Sequence, residues 1–184
     1  MIPLDPLLAT VLAAVGLQRL FELAYARHTA AKLVAHGARL IATDGMGFIV
    51  AVHAAWFIGC ISESLTRGTS YGWAAAGLIL FALGLGLRIW SMVTLGDRWN
   101  TRVYVLPQAP LVATGPYRFL RHPIYIGVWL ELVGLPAAFG LWWTTAGVAV
   151  LNGAALLRRI RLEERALGLG SPAAPSTSTR MPRP

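Results

Sequence analysis

Apolar residues in this chain gather into long stretches broken by short polar ones, with neither the period of two of a strand nor the one-sided stripe of a soluble helix. The first stretch runs from about Leu4 to Ala26, the second from Met46 to Ser62 and the third from Tyr71 to Leu95. Each is near the roughly 20 residues that a helix needs to cross a bilayer core. A fourth, Ile124 to Leu157, is too long for one crossing and too short for two independent ones, and Pro136 and Gly140 lie near its centre. A break there predicts a tight helical hairpin. The pattern therefore predicts an all-α integral membrane protein with about five transmembrane helices, the last two forming the hairpin.

Composition agrees. Only 13% of the residues are charged, about half of what soluble domains carry, and the mean hydropathy is positive. The first stretch lacks a basic amino end, begins with Pro3 and Asp5, and carries Gln18, Arg19 and Glu22, so a cleaved signal peptide is not expected. The net charge of +8 is almost all arginine. The segment after the first stretch holds Arg27, Lys32 and Arg39; that after the third holds Arg98, Arg102, Arg118 and Arg121; the carboxyl-terminal part holds Arg158, Arg159, Arg161 and Arg165. Only Arg67 follows the second stretch. Basic residues on alternate sides predict an amino end outside and a carboxyl end in the cytoplasm. Topology then accounts for the charge without nucleic acid as a partner. Cys60 alone allows neither a disulfide framework nor a cysteine metal site, and His53 has no second ligand at metal-binding spacing. Residues 1–170 read as one membrane-embedded domain, and 171–184, rich in Pro, Ser and Thr, as a disordered tail.

Two cytoplasmic pieces carry the candidate chemistry. One is the loop from Gly96 to Arg121, about 25 residues and long for a mere connection. It leads into TGPYRFLRHPIYIG, Thr114 to Gly127. Pro123 suits the first position of a helix, where its missing N–H has no partner to lose. His122 would then cap the helix, with Tyr125 in the first turn, and the free N–H groups would offer an anion site. Arg118, Arg121, His122 and Tyr125 could equally be surface anchors of a span. The second piece is LLRRIRLEERAL, where Arg159 and Glu163 share a helix face. A tight hairpin returns His122 and the Arg159–Glu164 stretch to the same membrane surface, which favours a site.

GPYRFLRHPIYIG followed by a hydrophobic hairpin and RRIRLEE resembles the carboxyl half of the isoprenylcysteine carboxyl methyltransferase family. The pieces QRLFELAYARH, LGDRWNTRVYVLPQAPLVATGPY and NGAALLRRIRLEERAL resemble a bacterial branch of it. Members of that branch often accompany type III polyketide synthases, and some O-methylate phenolic lipids such as alkylresorcinols. The resemblance implies S-adenosylmethionine as cofactor and a cleft lined by Ala109, Pro110, Leu111, Val112, Tyr117, His122, Pro123, Ile124, Tyr125 and Glu163. It puts Arg159 beside the substrate and the reacting methyl. The APLV segment would contribute mostly backbone contacts. The soluble methyltransferases' Rossmann signature is absent: Gly84/Gly86 and Gly168/Gly170 lack strand context and read as helix-packing residues and a helix stop.

For methyl transfer, a carboxylate acceptor is already ionised and needs only Arg159 to position it. A phenol, with a pKa near 10, needs phenolate stabilisation by Arg159 or a proton acceptor, Glu164 or His122. The lipophilic acceptor would enter from the bilayer, past apolar positions of spans one, three and four. Arg19, Glu22, His53, Arg88 and Glu131 lie within spans, where they need partners; Arg19 and Glu22 are spaced to pair with each other. Two rivals share features. An NADPH-dependent reductase of the steroid-reductase type has an RHPxYxG-like element, and a membrane scaffold would bind neither cofactor.

Overall fold

The computed structural model describes residues 2–41, 45–107 and 109–167. It is built from five helices, α1 (Pro6–Ala35), α2 (Met46–Arg67), α3 (Ala74–Leu95), α4 (Pro123–Ala138) and α5 (Trp142–Ala166). Two-residue strands β1 (Arg39–Leu40) and β2 (Tyr104–Val105) pair antiparallel, and one-turn 3-10 segments occupy Gly96–Arg98 and Gly115–Arg118. Helices α1, α2 and α3 are long and apolar enough to cross a membrane, and α4 is a shorter apolar helix. Exposure is inverted relative to a soluble protein. Leu17, Phe21, Leu83, Val93 and Val150 lie on outer faces, while Glu22, Glu63, Arg88, Glu131, Asn152 and Arg159 are buried.

Helix α1 starts where Asp5 accepts hydrogen bonds from the N–H groups of Leu7 (2.9 Å) and Leu8 (3.2 Å), with Pro6 in the first position. It runs on to Ala35, so Arg27 and Lys32, which follow the first apolar stretch, stand on two further helical turns. Their polarity ends the apolar stretch but not the helix, because Ala, Leu, Lys and Arg are all good helix formers. Helix α2 likewise continues to Arg67 and stops at Gly68, whose φ of 77° is open to glycine. The fourth stretch divides at Phe139–Leu141. Pro136 stays in the last turn of α4, and Gly140 turns the chain at φ 69°, its α-carbon so close to Ser70 that a Cβ would lie 2.9 Å from the serine Cβ. The expected tail at 171–184, the end of the 1–170 domain and Gly168/Gly170 lie outside the described residues.

The core is Leu8, Leu12 and Val15 of α1, Val52, Trp56 and Cys60 of α2, Leu132 and Leu135 of α4, and Val148 and Ala155 of α5. The Trp56 indole donates to the Leu132 carbonyl (2.8 Å) and Trp129 to that of Ala149 (3.1 Å), locking α2 and α5 onto α4. Helices α3 and α4 touch backbone to backbone. A Cβ on Gly84 would lie 2.6 Å from the Gly127 carbonyl, and one on Gly134 2.6 Å from the Phe81 nitrogen. Small residues permit this approach, as is common between membrane helices.

Across that contact sits a ring of four charges. Arg88 Nε donates to Glu131 (2.6 Å) and Arg88 Nη1 to Glu22; Arg19 donates to Glu131 (2.7 Å) and to Glu22 (3.0 Å). The expected Arg19–Glu22 pair thus exists, extended to α3 and α4 into a neutral two-arginine, two-carboxylate cluster. Neutrality and mutual hydrogen bonding make such groups tolerable in an apolar environment. At the end opposite the α4 start, Glu63 of α2 accepts from the N–H groups of Trp143 (3.0 Å) and Thr144 (2.7 Å), capping α5 from another helix.

Candidate functional site

Helix α4 begins at Pro123 with His122 at its cap, and the His122 side chain makes no capping bond. Its imidazole turns instead to α5, with Nε2 3.2 Å from Glu164 and Nδ1 3.8 Å from Glu163, and stacks on the Tyr125 ring at 5.6 Å. The Tyr125 hydroxyl donates to Glu163 Oε2 at 2.6 Å and accepts from Arg159 Nε at 3.0 Å. Arg159 and Glu163, one turn apart, are therefore joined through a phenol contributed by α4. The remaining Arg159 nitrogens donate to the Thr101 carbonyl and approach Met46 Sδ at 3.8 Å, and the residue as a whole is only 5% exposed.

Tyr117 stands in the 3-10 turn before α4, within reach of the Glu163 charge. Burial, and then the charge of Glu163, push its phenol above the ordinary tyrosine value, while a hydrogen bond with Ser91 of α3 opposes the shift. It stays protonated at neutral pH and can donate. The loop that brings Thr101 to Arg159 is strapped to α1: Trp99 stacks on Tyr25 at 5.5 Å, Asn100 donates to Thr29 (3.1 Å), and Lys32 pairs with Asp97 at 2.8 Å. The Lys32 ammonium holds the Asp97 carboxyl below its usual range by hydrogen bond and charge.

The structure thus brings together His122, Tyr125, Arg159, Glu163 and Glu164, with Tyr117 within reach of the Glu163 charge; at the start of α4 Pro123 is buried and Ile124 half-buried. In the Ala109–Val112 segment the Pro110 carbonyl accepts from Arg98 at 2.8 Å; Pro110 and Leu111 are exposed, Ala109 and Val112 half-buried. Thr101 and Met46 on Arg159, and Ser91 on Tyr117, are contacts that the sequence does not assign. Two contribute a small hydroxyl or a backbone carbonyl, which carry no sequence signature, and Met46 reads as an ordinary span residue.

A family model for isoprenylcysteine carboxyl methyltransferases matches residues 77–168, half of the chain, from α3 through the His122–Glu164 cluster. The chain belongs to the isoprenylcysteine carboxyl methyltransferase family. It is 30% identical to the uncharacterized protein YpbQ of Bacillus subtilis over 85% of this chain and 94% of that one. It is 24% identical to an uncharacterized protein of Haemophilus influenzae over 77% of this chain and 83% of that one. No solved structure matches it. Family membership and the apolar helices together make it an integral membrane protein of a methyltransferase family, whose members are generally S-adenosylmethionine-dependent.

Proposed function

We propose that this chain is an S-adenosylmethionine-dependent O-methyltransferase embedded in the bacterial inner membrane, acting on a lipophilic phenol or carboxylate that enters from the bilayer. The observation that carries the reading is the Arg159–Tyr125–Glu163 linkage closed by His122 and Glu164. Residues 1–170 act as one domain in this reading. α4 and α5 complete five crossings, with the amino end outside and the cluster at the cytoplasmic surface.

The donor set suits the cofactor's chemistry. The start of α4, free of a side-chain cap, suits a carboxylate. Glu163 offsets cationic groups, and the Tyr117 and Tyr125 rings offer hydrogen bonds or a π-face to a sulfonium. Ala109–Val112, Pro123 and Ile124 line the same cleft in this proposal. When bound, the cofactor supplies a methyl already activated by its sulfonium, which leaves alignment of the nucleophile to the protein. Arg159 holds the acceptor oxygen and stabilises it as an anion. Its guanidinium is kept in one orientation by Tyr125, Thr101 and Met46. With a phenolic acceptor, Glu164 or His122 takes the proton; with a carboxylate none needs to move.

Calorimetry of S-adenosylhomocysteine and of NADPH against detergent-purified protein tests this, with Glu163→Ala as control. Binding of the homocysteine compound alone, lost in the variant, is expected. Binding of NADPH alone would replace the reading with a reductase, and binding of neither by folded protein would replace it with a scaffold.

A further inference from the structure

At the end of the helices opposite the His122–Glu164 cluster, the chain between α2 and α3 folds against the turn between α4 and α5. A pocket of about 220 Å³ lies there, lined by Glu63 and Arg67 of α2, Thr69 and Ser70 of the connection, and Trp142 and Trp143 of α5. Its walls are held from several sides. The Ser70 N–H donates to the Phe139 carbonyl (2.9 Å), Thr69 donates to Asp5 (2.6 Å), and Trp73 packs edge-on against Trp142 at 6.0 Å.

Arg67 is the odd member. Among the described residues it is the sole lysine or arginine at this end of the helices. The carboxylates nearby are committed to other donors. Asp5 accepts from Leu7, Leu8, Thr69 and Tyr71. Glu63 accepts from the N–H groups of Trp143 (3.0 Å) and Thr144 (2.7 Å) and from the Thr144 hydroxyl (2.7 Å). No carboxylate among the described residues lies within salt-bridge distance of Arg67, and its guanidinium rests over the exposed Trp143 ring at 5.4 Å.

Glu63 carries the opposite charge on the same wall. It precedes Arg67 by four residues, about 6 Å along one face of α2. It is buried and pairs with no cation of the described residues. Its three bonds leave one of the roughly four acceptor sites of a carboxylate open. Opposite charges that share a pocket without neutralising each other suit a ligand carrying both. The Trp143 face, which would suit a quaternary ammonium, is taken by Arg67. The Glu63 carboxylate and the Ser70 hydroxyl suit a primary ammonium instead, which has protons to donate. Trp73, Trp142 and Trp143 are all exposed at this end, and exposed tryptophans at span ends mark the level of lipid head groups.

We propose that this pocket binds the phosphoethanolamine head group of a membrane phospholipid, its phosphate on Arg67 and its ammonium towards Glu63. The lipid would tie the α2–α3 connection to the α4–α5 turn at the membrane surface away from the His122–Glu164 cluster. Neither methyl transfer nor its cofactor enters the argument, so the site stands or falls apart from them.

The test follows the melting temperature of protein purified in a neutral detergent as lipid is added. The probes are dihexanoyl phosphatidylethanolamine, phosphatidylcholine and phosphatidylglycerol, and free phosphoethanolamine. Phosphatidylethanolamine should stabilise at the lowest concentration. Arg67→Gln, at an exposed position that leaves the fold intact, should raise that concentration at least about tenfold, as expected for loss of a charge-assisted bond to phosphate. Arg27→Gln, exposed on α1 at the other end, should leave it unchanged. Glu63→Gln keeps an oxygen to cap α5 and should narrow the preference for phosphatidylethanolamine over phosphatidylglycerol. Equal stabilisation by phosphatidylglycerol or phosphatidylcholine in the wild type overturns the proposal, as does an equal loss in Arg27→Gln. Free phosphoethanolamine acting at the same concentration as the lipid would replace the lipid with a soluble phosphoamine.

Discussion

The Tyr125 hydroxyl stands between Arg159 Nε, 3.0 Å away, and Glu163 Oε2, 2.6 Å away. One phenol from α4 thereby sets the orientation of a cation and an anion that both belong to α5. Tyr125→Phe keeps the ring and its stacking on His122 but deletes both bonds. Hydrogen bonds to charged groups are each worth about 1.5–3 kcal/mol, so affinity for S-adenosylhomocysteine should fall roughly ten- to a hundredfold. Calorimetry measures it, and an unaltered melting curve identifies the loss as local.

The ring of Arg19, Glu22, Arg88 and Glu131 predicts an unusual order of stabilities. Glu131→Ala leaves Arg88 facing Glu22 alone with a surplus buried charge, at a cost of about 3–5 kcal/mol. The double variant Arg88→Met/Glu131→Leu removes one charge of each sign and leaves Arg19 with Glu22. It should unfold closer to wild type than Glu131→Ala does. Denaturant unfolding in detergent compares the three; a double variant weaker than the single one would contradict a neutral ring.

At the α3–α4 contact, Gly134→Ala forces a Cβ to within 2.6 Å of backbone that cannot give way. We expect destabilisation of at least about 1–3 kcal/mol, as for other overpacked interiors. Gly86→Ala on the same α3 meets nothing within 4 Å and should be neutral or slightly stabilising through helix propensity. Paired thermal melts separate the two sites.

Asp5 accepts from Thr69 at 2.6 Å and from Tyr71, and these two bonds hold its carboxyl at about 2, down from 3.8. A carboxyl with a lowered folded-state value stabilises the protein fully above its ordinary value and progressively less as pH falls towards about 2. Asp5→Asn should therefore lower the melting temperature at neutral pH and flatten its decline in acid. Melting curves from neutral pH down to about pH 2 provide the comparison.

Much of this architecture is legible in the sequence because lipid leaves few options: apolar runs near span length become helices. Pro123 marks a start by its fixed φ and Gly140 a turn by its freedom to adopt a positive one. The meeting of His122 with Glu163 and Glu164 follows from the connectivity of α4 and α5 alone. Partners fixed only by helix rotation are not legible in that way. Arg88 and Glu131 sit on different helices, and nothing in their spacing says that both face Glu22 and Arg19. The strand pair of Arg39–Leu40 with Tyr104–Val105 is two residues long, too short to leave a pattern. The place of the Ala109–Val112 segment follows from resemblance alone, because its backbone contacts, such as that of the Pro110 carbonyl with Arg98, carry no side-chain signature.

The glycine contacts between α3 and α4 also divide the molecule mechanically. Two helices whose backbones meet without intervening side chains cannot slide or roll without collision, and the four-charge ring pins them further. They form a stiff strut that carries Tyr125 and, through Ser91, Tyr117. Compliance is left to α2, which reaches α5 through replaceable side chains, and to the strap from Trp99 to Thr101. A bulky amphiphile entering or leaving would move these parts and spare the strut. Amide hydrogen exchange in the middle of α3 and α4 should then be the slowest in the protein, and that at the amino end of α2 should quicken first as the membrane loosens.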